Sequence, residues 1–226
     1  MQYVMYKKHI DLEEVPRHTI IWQYMPLSKF ICLLREEKLY FNRVDNFKDK
    51  RECTLTAIDK KIFRFTKDAE CYWERERKRH FINCWLESDY ELALMWDTYG
   101  KDGVAIKTTV GNLIDSLAVD SEHHQYLSRV KYLDEKLDCS QDWGTPNNVL
   151  KIPLSKRKFY EQEREIRLLY TREETDEQKG ISFSVDLNCL ISEVRVYPDA
   201  PPYFLEVVKK ELQIASVETV ALFSEV

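Results

Sequence analysis

Apolar and polar positions along the chain alternate between short extended runs and helical spacings. Residues 19–25 form a dense run of β-branched and aromatic side chains ended by Pro26, which predicts a strand. Residues 27–34 follow with apolar side chains at helical spacing, and residues 39–44 return as a second strand. The first quarter of the chain therefore predicts a strand, a helix and a strand joined by short connections.

The same two patterns continue to the C-terminus, and the run 74–79 of alternating charge predicts a solvated helical face. Residues 181–187 and 190–197 predict a further pair of strands. The balance predicts an α+β fold, a strand-rich single domain spanning 1–226 with helices inserted between strands. The remaining predictions are strands at 81–86, 103–108, 127–133 and 217–223, and helices at 92–99, 110–117 and 203–213.

The charged stretch 156–170 is the most unusual segment of the sequence, because it predicts a strand with charged side chains on one face. It begins as a charged turn and continues as a central strand, in which Ile166, Leu168 and Tyr170 point one way. Glu163, Glu165, Arg167 and Leu169 point the other way. Charges on a central strand must be desolvated, paired or used chemically, so the face is either a ladder of ion pairs or one wall of a site.

Composition and charge narrow the class of protein. The net charge of -5 and pI of about 5.7 argue against a dedicated nucleic-acid binder, although a local basic patch is compatible with that average. Six scattered cysteines without metal-ligand spacing predict reduced thiols and no metal site. No apolar leader or membrane-length apolar stretch is present, so we expect a cytoplasmic protein with no membrane partner.

The order of several short motifs resembles a known bacterial family. Those pieces, in chain order, are Trp22-x-Tyr24, Phe47-x-Asp49-x-x-Glu52, Cys84-Trp85, Glu91-x-x-x-Met95-Trp96-x-x-Tyr99, Gly103-Val104-Ala105-Ile106, and Lys158-Phe159 followed by Glu165-x-Arg167. Together they resemble domain-of-unknown-function family 2971, whose members often occur near phage-resistance genes. The similarity spans about residues 20–170, and strands and a helix within 181–223 complete the domain.

A looser resemblance links the chain to mono-ADP-ribosyltransferase-like domains, and it implies their fold and NAD as a substrate. It implies that Glu165, with Glu163 beside it, matches their late catalytic glutamates. Trp22 or Tyr24 stands where those enzymes carry a His or Arg, and Arg43 is a candidate for the missing cation. The full set of candidate NAD-binding residues is Tyr24, Trp22, Arg43, Phe47, Asp49, Trp96, Tyr99 and Arg167.

Three hypotheses about function follow. The first is an NAD-cleaving ADP-ribosyltransferase-like effector in phage defence, with a protein or nucleic-acid acceptor and a neutralising or sensing protein partner. The second is a non-catalytic sensing or interaction module, in which Arg51 and Arg167 pair with Glu52, Glu163 or Glu165. The third, with less support, is a metal-dependent nuclease that uses Asp45, Asp49 and Glu52.

Overall fold

The structure, a computed structural model, describes residues 12–62, 67–117, 125–139, 150–172 and 177–226. Within these ranges, strands and helices alternate along the chain. The strands are β1 (Ile20–Pro26), β2 (Lys38–Arg43), β3 (His80–Glu87), β4 (Gly103–Thr109), β5 (Gln125–Arg129), β6 (Lys131–Leu133), β7 (Ser155–Arg157), β8 (Glu165–Thr171), β9 (Gly180–Ser184), β10 (Glu193–Val196) and β11 (Val220–Phe223). The α-helices are α1 (Leu27–Glu36), α2 (Ala57–Ile62), α3 (Lys67–Arg77), α4 (Ala93–Met95), α5 (Val110–Ser116), α6 (Leu187–Leu190) and α7 (Pro202–Ile214). A π-helical turn continues α4 over Trp96–Gly100, and 3-10 helices occupy Val44–Asn46 and Lys158–Glu163.

Nine of these strands form one mixed sheet. Its main path runs β11-β10-β4-β1-β3-β2-β9, and β8 pairs with β3 and β5. All described pairs in this sheet are antiparallel except β10 with β11, and β6 and β7 form a separate parallel pair. The charged strand β8 is therefore an interior strand, as its sequence predicts.

The sheet forks beside β3. The start of β3 pairs with β2 and its end pairs with β1, while β8 follows its other edge along nearly the whole strand. Side-chain amides bond to backbone groups inside the fork. Gln23 Nε2 donates to Cys84 O at 3.1 Å, and Asn83 Nδ2 donates to Tyr40 O at 2.9 Å. These bonds join backbone carbonyl groups of β3 and β2 to side chains of neighbouring strands.

The two faces of the sheet carry different side chains. On the first face, buried residues of β1, β3, β4 and β8 pack with α1, α5 and α7 into the main core. On the second face, Trp22 and Leu86 pack with Trp96, and Ile82 and Leu169 pack with Cys53. Glu165 and Arg167 alternate with core residues of β8 and therefore belong to this second face.

The α+β architecture is confirmed, but three local predictions are wrong. The run 127–133 splits between β5 and β6, which belong to different sheets. The predicted strands 181–187 and 190–197 are shortened to β9 and β10, because residues 187–190 form α6; β9 pairs with β2, and β10 pairs with β4 and β11. The run 74–79 is not fully solvated, because Glu76 and Arg77 are buried and Glu76 pairs with Arg79.

Among the residues that the structure describes, none of the helices is long and apolar enough to cross a bilayer.

Candidate functional site

Five charged side chains meet on the second face of the sheet, and we name them the charge cluster. Each exposes 8% or less of its surface. Ionised groups this far from water require partners, because burial removes their hydration. The members are Glu52, Lys156, Glu163, Glu165 and Arg167.

Separate parts of the chain bring these members together. Glu165 and Arg167 lie two residues apart on β8 and so share one face. Lys156 comes from the short strand β7, and Glu163 ends the 3-10 helix that leads from β7 into β8. Glu52 lies in the turn region before α2. The cluster thus joins the early and late thirds of the chain.

The placement of Glu163 corrects the prediction that it lies on the strand. The strand starts at Glu165, and Arg164 adopts a left-handed conformation with φ of 35° between helix and strand. This bend separates Glu163 from the alternation of β8. Glu163 nevertheless reaches the same cluster, because Lys156 holds both carboxylates.

Arg167 is the fully buried cation of the cluster. Its Nε donates to Glu165 Oε2 at 2.6 Å, one terminal nitrogen donates to Pro153 O at 2.7 Å, and the other donates to Glu52. Charge-assisted bonds of this kind fix the orientation of both carboxylates. Arg167 therefore has its charge satisfied within the chain, and it holds Glu165 in one place.

Lys156 is the second cation, and it joins the two glutamates of the predicted catalytic pair. Its Nζ donates to Glu163 Oε2 and to Glu165 Oε1, each at 2.6 Å, and lies 3.8 Å from Glu52 Oε1. The two carboxylate oxygens are therefore separated by no more than twice 2.6 Å.

The two glutamates titrate in opposite directions. Burial, together with a hydrogen bond to Glu165, raises the pKa of Glu163 to about 7. Burial acts to raise the pKa of Glu165 as well, but the charges of Arg167 and Lys156 outweigh it and lower that pKa to about 2. A pair of carboxyl groups whose pKa values are driven apart is a common source of acid and base roles in active sites.

Tyr99 connects the cluster with solvent. It lies on the π-helical turn, its hydroxyl is 3.3 Å from both carboxylate oxygens of Glu163, and its side chain is 41% exposed. Single π turns inside helices are frequent at functional sites. On the inner side, Tyr132 accepts a hydrogen bond from Glu165 N at 2.8 Å. Glu163 is therefore the carboxylate that lies behind an exposed aromatic ring.

The remaining predicted site residues divide into two groups, and the first is aromatic packing. Tyr24 meets Trp96 edge-on, with ring centroids 4.9 Å apart, and its hydroxyl accepts from Leu92 N at 3.0 Å. Trp22 Nε1 donates to Ser88 O at 3.0 Å. Trp22, Tyr24 and Trp96 are all buried, so these contacts are those of a packed core beside the cluster.

The second group lies around the loop after β2. Arg43 Nε donates to Asp45 Oδ1 at 2.6 Å, and Asp49 accepts from Arg157 at 2.5 Å. Phe47 packs against the apolar residues around Cys53. The structure thus links Tyr99 to Glu163 and Arg167 to Glu165, with Lys156 between the two glutamates, and the other predicted residues make separate contacts of their own.

The sequence predictions gave Lys156 no role, although it contacts three of the other members. No periodicity links it to Glu163 and Glu165, because a 3-10 helix and a bend separate them; the only signal was its place in the charged stretch 156–170. The expected pairing of Arg167 with Glu52 and Glu165 is confirmed. Arg51 does not join them, and it forms a long ion pair with Glu135 at 3.8 Å.

Comparisons with known proteins give one match. The model of a family described as "Protein of unknown function (DUF2971)" matches residues 95–168. This match confirms the resemblance over that segment, which contains Lys156, Glu163, Glu165 and Arg167 and leaves Glu52 outside. No curated protein and no solved structure matches the chain.

Proposed function

We propose that this chain, whose residues 95–168 match the DUF2971 family model, is an NAD-cleaving, ADP-ribosyltransferase-like enzyme. The observation that carries the proposal is the pair Glu163 and Glu165. Lys156 holds their carboxylates together, and their pKa values are shifted to about 7 and about 2. One group is poised to exchange a proton near neutral pH, and the other stays ionised.

This pair suits the cleavage of the bond between nicotinamide and ribose. As the bond breaks, its electron pair moves to the ring nitrogen, nicotinamide leaves as a neutral molecule, and the ribose carbon becomes cationic. Water or an acceptor hydroxyl bonds to that carbon and gives its proton to ionised Glu163, which acts as the general base. The fixed negative charge of Glu165, beside Glu163, contributes to stabilising the ribose cation.

Substrate reaches Glu163 past Tyr99 in this proposal. The ring of Tyr99 can stack on nicotinamide once its hydroxyl releases Glu163. Arg167 is fully buried and bonded within the chain, so its role is to position Glu165 rather than to hold the diphosphate. Exposed Arg164, next to Glu163 and 5.9 Å above the ring of Tyr90, is the arginine placed to meet a diphosphate.

Release of nicotinamide tests the proposal. Purified protein is incubated with NAD labelled in the nicotinamide ring, with and without cell extract as a source of acceptors. We expect the wild type to release label and Glu163→Gln to lose activity by roughly 100-fold or more, the usual contribution of a general base. Glu161→Gln is the matched control, because Glu161 is an exposed glutamate on the same 3-10 helix. No release by the wild type under either condition contradicts the proposal.

The pH dependence of the reaction gives a second test. A general base must be ionised, so kcat/KM should rise as pH increases through about 7, the pKa of Glu163. Glu165 is already ionised throughout this range, so its titration does not change the pH–rate profile there. The rate is measured from about pH 5.5 to about 8.5 for the wild type and for Glu161→Gln. A profile that falls across this range in both proteins excludes Glu163 as the base.

A non-catalytic sensing module is the second candidate. The observation in its favour is that Arg167 and Glu165 have partners within the chain and are almost fully buried, as in a structural ion network. In that case Glu165→Gln lowers the melting temperature, and no variant changes any turnover. The nuclease hypothesis has less support, because Asp45, Asp49 and Glu52 are each held by an arginine.

The cellular setting we propose is the bacterial cytoplasm, in defence against phage, with NAD depletion or transfer to an acceptor as the effect. This part rests on the family resemblance. Plaque counts on cells that express the wild type, Glu163→Gln or Glu161→Gln test it. Protection is expected from the wild type and from Glu161→Gln but not from Glu163→Gln. Equal protection by Glu163→Gln would show that defence does not depend on the proposed reaction.

A further inference from the structure

Phe159 projects almost entirely into solvent. It exposes 88% of its surface and lies on the 3-10 helix at Lys158–Glu163, four residues before Glu163. The helix therefore presents a full aromatic face to water next to the charge cluster. A large apolar ring kept in water is available for a partner that can cover it.

One ion pair joins two basic segments of the chain, and Phe159 lies two residues after one of its members. Asp49 accepts from Arg157 at 2.5 Å, and the neighbours of each residue are lysines on both sides. Of these neighbours Lys48, Lys50 and Lys158 are exposed, and only Lys156 turns inward to the charge cluster. Arg157 neutralises Asp49, so the local surface keeps three lysine charges.

The bonding of these lysines leaves their charge available. Lys50 donates to a backbone carbonyl, that of Asp45, at 3.3 Å, which does not neutralise it. Arg51 adds a further exposed cation, whose ion pair with Glu135 is long at 3.8 Å. Glu161 is the exposed carboxylate on the same 3-10 helix and opposes the others. Among the described residues, the unneutralised cations Lys48, Lys50, Arg51 and Lys158 outnumber the carboxylates Glu135 and Glu161 at this surface, although the whole chain carries -5.

We infer that this surface, which we name the basic face (Lys48, Lys50, Lys158 and Phe159), binds single-stranded nucleic acid. Phosphates pair with the three lysines, and an unpaired base stacks on Phe159. A duplex keeps its bases stacked inside and cannot use the ring in this way. The combination of a protruding ring with flanking cations therefore selects single strands. DNA and RNA share this chemistry, and the test distinguishes them.

Binding is measured without NAD, so its outcome is independent of the proposed enzymatic function. Labelled oligonucleotides of about 12 residues, a length within the usual site size, serve as single-stranded DNA, single-stranded RNA and duplex DNA. Fluorescence anisotropy is recorded over a series of salt concentrations. The variants are Phe159→Ala and the triple change K48A/K50A/K158A. Matched controls are Tyr203→Ala, which removes a 70% exposed aromatic residue, and the remote triple change K29A/K38A/K210A of exposed lysines.

We expect the wild type to bind a single strand more tightly than the duplex. Phe159→Ala should weaken binding roughly tenfold, as loss of one stacking platform does. The triple lysine change should reduce the slope of log affinity against log salt by about 2, since each phosphate contact on a single strand contributes about 0.7. Glu161→Gln should strengthen binding slightly, because it removes a repelling charge. Equal affinity for DNA and RNA, or a preference for either, supports the inference.

Three results overturn it: no binding by the wild type at low salt, equal or tighter binding of the duplex, or equal losses in the basic-face variants and their controls. All four basic-face side chains are exposed to solvent, so the variants should melt at the wild-type temperature. A thermal melt of each variant confirms that a loss of binding is not a loss of folding.

Discussion

Glu163 and Glu165 show how strongly position decides the chemistry of a side chain. Both carboxylates bond to the same lysine nitrogen at 2.6 Å. Glu165 also bonds to Arg167, whereas Glu163 bonds to the hydroxyl of Tyr99 at the rim. Burial is the largest single effect on both pKa values, but at Glu165 the charges of Arg167 and Lys156 together outweigh it, whereas at Glu163 the effect of Lys156 does not.

Removing the charge of Glu165 should be costly. In Glu165→Gln the amide has nearly the shape of the carboxylate, but Arg167 and Lys156 lose a buried negative partner. We expect the free energy of unfolding to fall by about 3–5 kcal/mol at pH 7, as for other broken buried pairs. Urea denaturation of this variant and of Glu161→Gln measures the difference. A loss in Glu165→Gln no larger than in the exposed control shows that the cluster does not stabilise the fold.

The strand β8 shows what the sequence could predict at the scale of an element. Alternation along β8 placed Glu165 and Arg167 on one face, and the structure confirms it. Alternation could not place Lys156 or Glu163, because the 3-10 helix and the left-handed Arg164 break the two-residue period. The partner of each strand could not be predicted from the pattern either. Strands β9 and β10 follow each other in sequence, but β9 pairs with β2 and β10 pairs with β4.

The π-helical turn is the element that sets the position of Tyr99. Its last residue, Gly100, has no room for a side chain: an added Cβ would lie 2.5 Å from Trp96 Cε3 and 3.2 Å from Tyr24 Cδ1. Either ring would have to move, and both are packed in the core beside the charge cluster. The turn therefore depends on glycine because of close packing.

Gly100→Ala tests this dependence. We expect the free energy of unfolding to fall by about 1–3 kcal/mol, the usual cost of overpacking a core. Asp97→Ala, an exposed change on the same turn, should have little effect. Chemical denaturation of both variants provides the measurement. If Gly100→Ala is as stable as Asp97→Ala, the rings of Trp96 and Tyr24 adjust without cost and the turn is less constrained than its packing indicates.

At the scale of the whole molecule, the general architecture was more predictable than the contacts of the site. Local patterns were enough for α1, α5, α7 and the early strands, since each element buries one face of its own periodicity. The charge cluster depends on Glu52 and on β8 meeting across more than 100 positions of sequence. No local pattern encodes such a contact, and only the motif order in the family resemblance pointed to it.

Two buried groups oppose each other in the dependence of stability on pH. The folded pKa of Glu163, about 7, lies above its ordinary 4.5, so its stabilising contribution is complete below 4.5 and is lost as pH rises to 7. His80 is buried, and burial lowers its pKa from 6.5 to about 3, so its contribution is complete above 6.5 and is lost as pH falls. Between pH 4.5 and 6.5 the two slopes have opposite signs.

Glu163→Gln should remove the contribution of Glu163 to the pH dependence of stability and leave that of His80. Glutamine does not titrate, so the variant loses the contribution that stabilises the wild type toward acid pH. Relative to the wild type, we expect its free energy of unfolding to decrease as pH falls from 7 to 4.5, by up to about 1.4 kcal/mol per pH unit for one proton. Urea unfolding at several pH values gives the difference between the two proteins, in which the groups outside the charge cluster cancel. Parallel curves contradict the raised pKa of Glu163, and with it the group's capacity to exchange a proton near neutral pH.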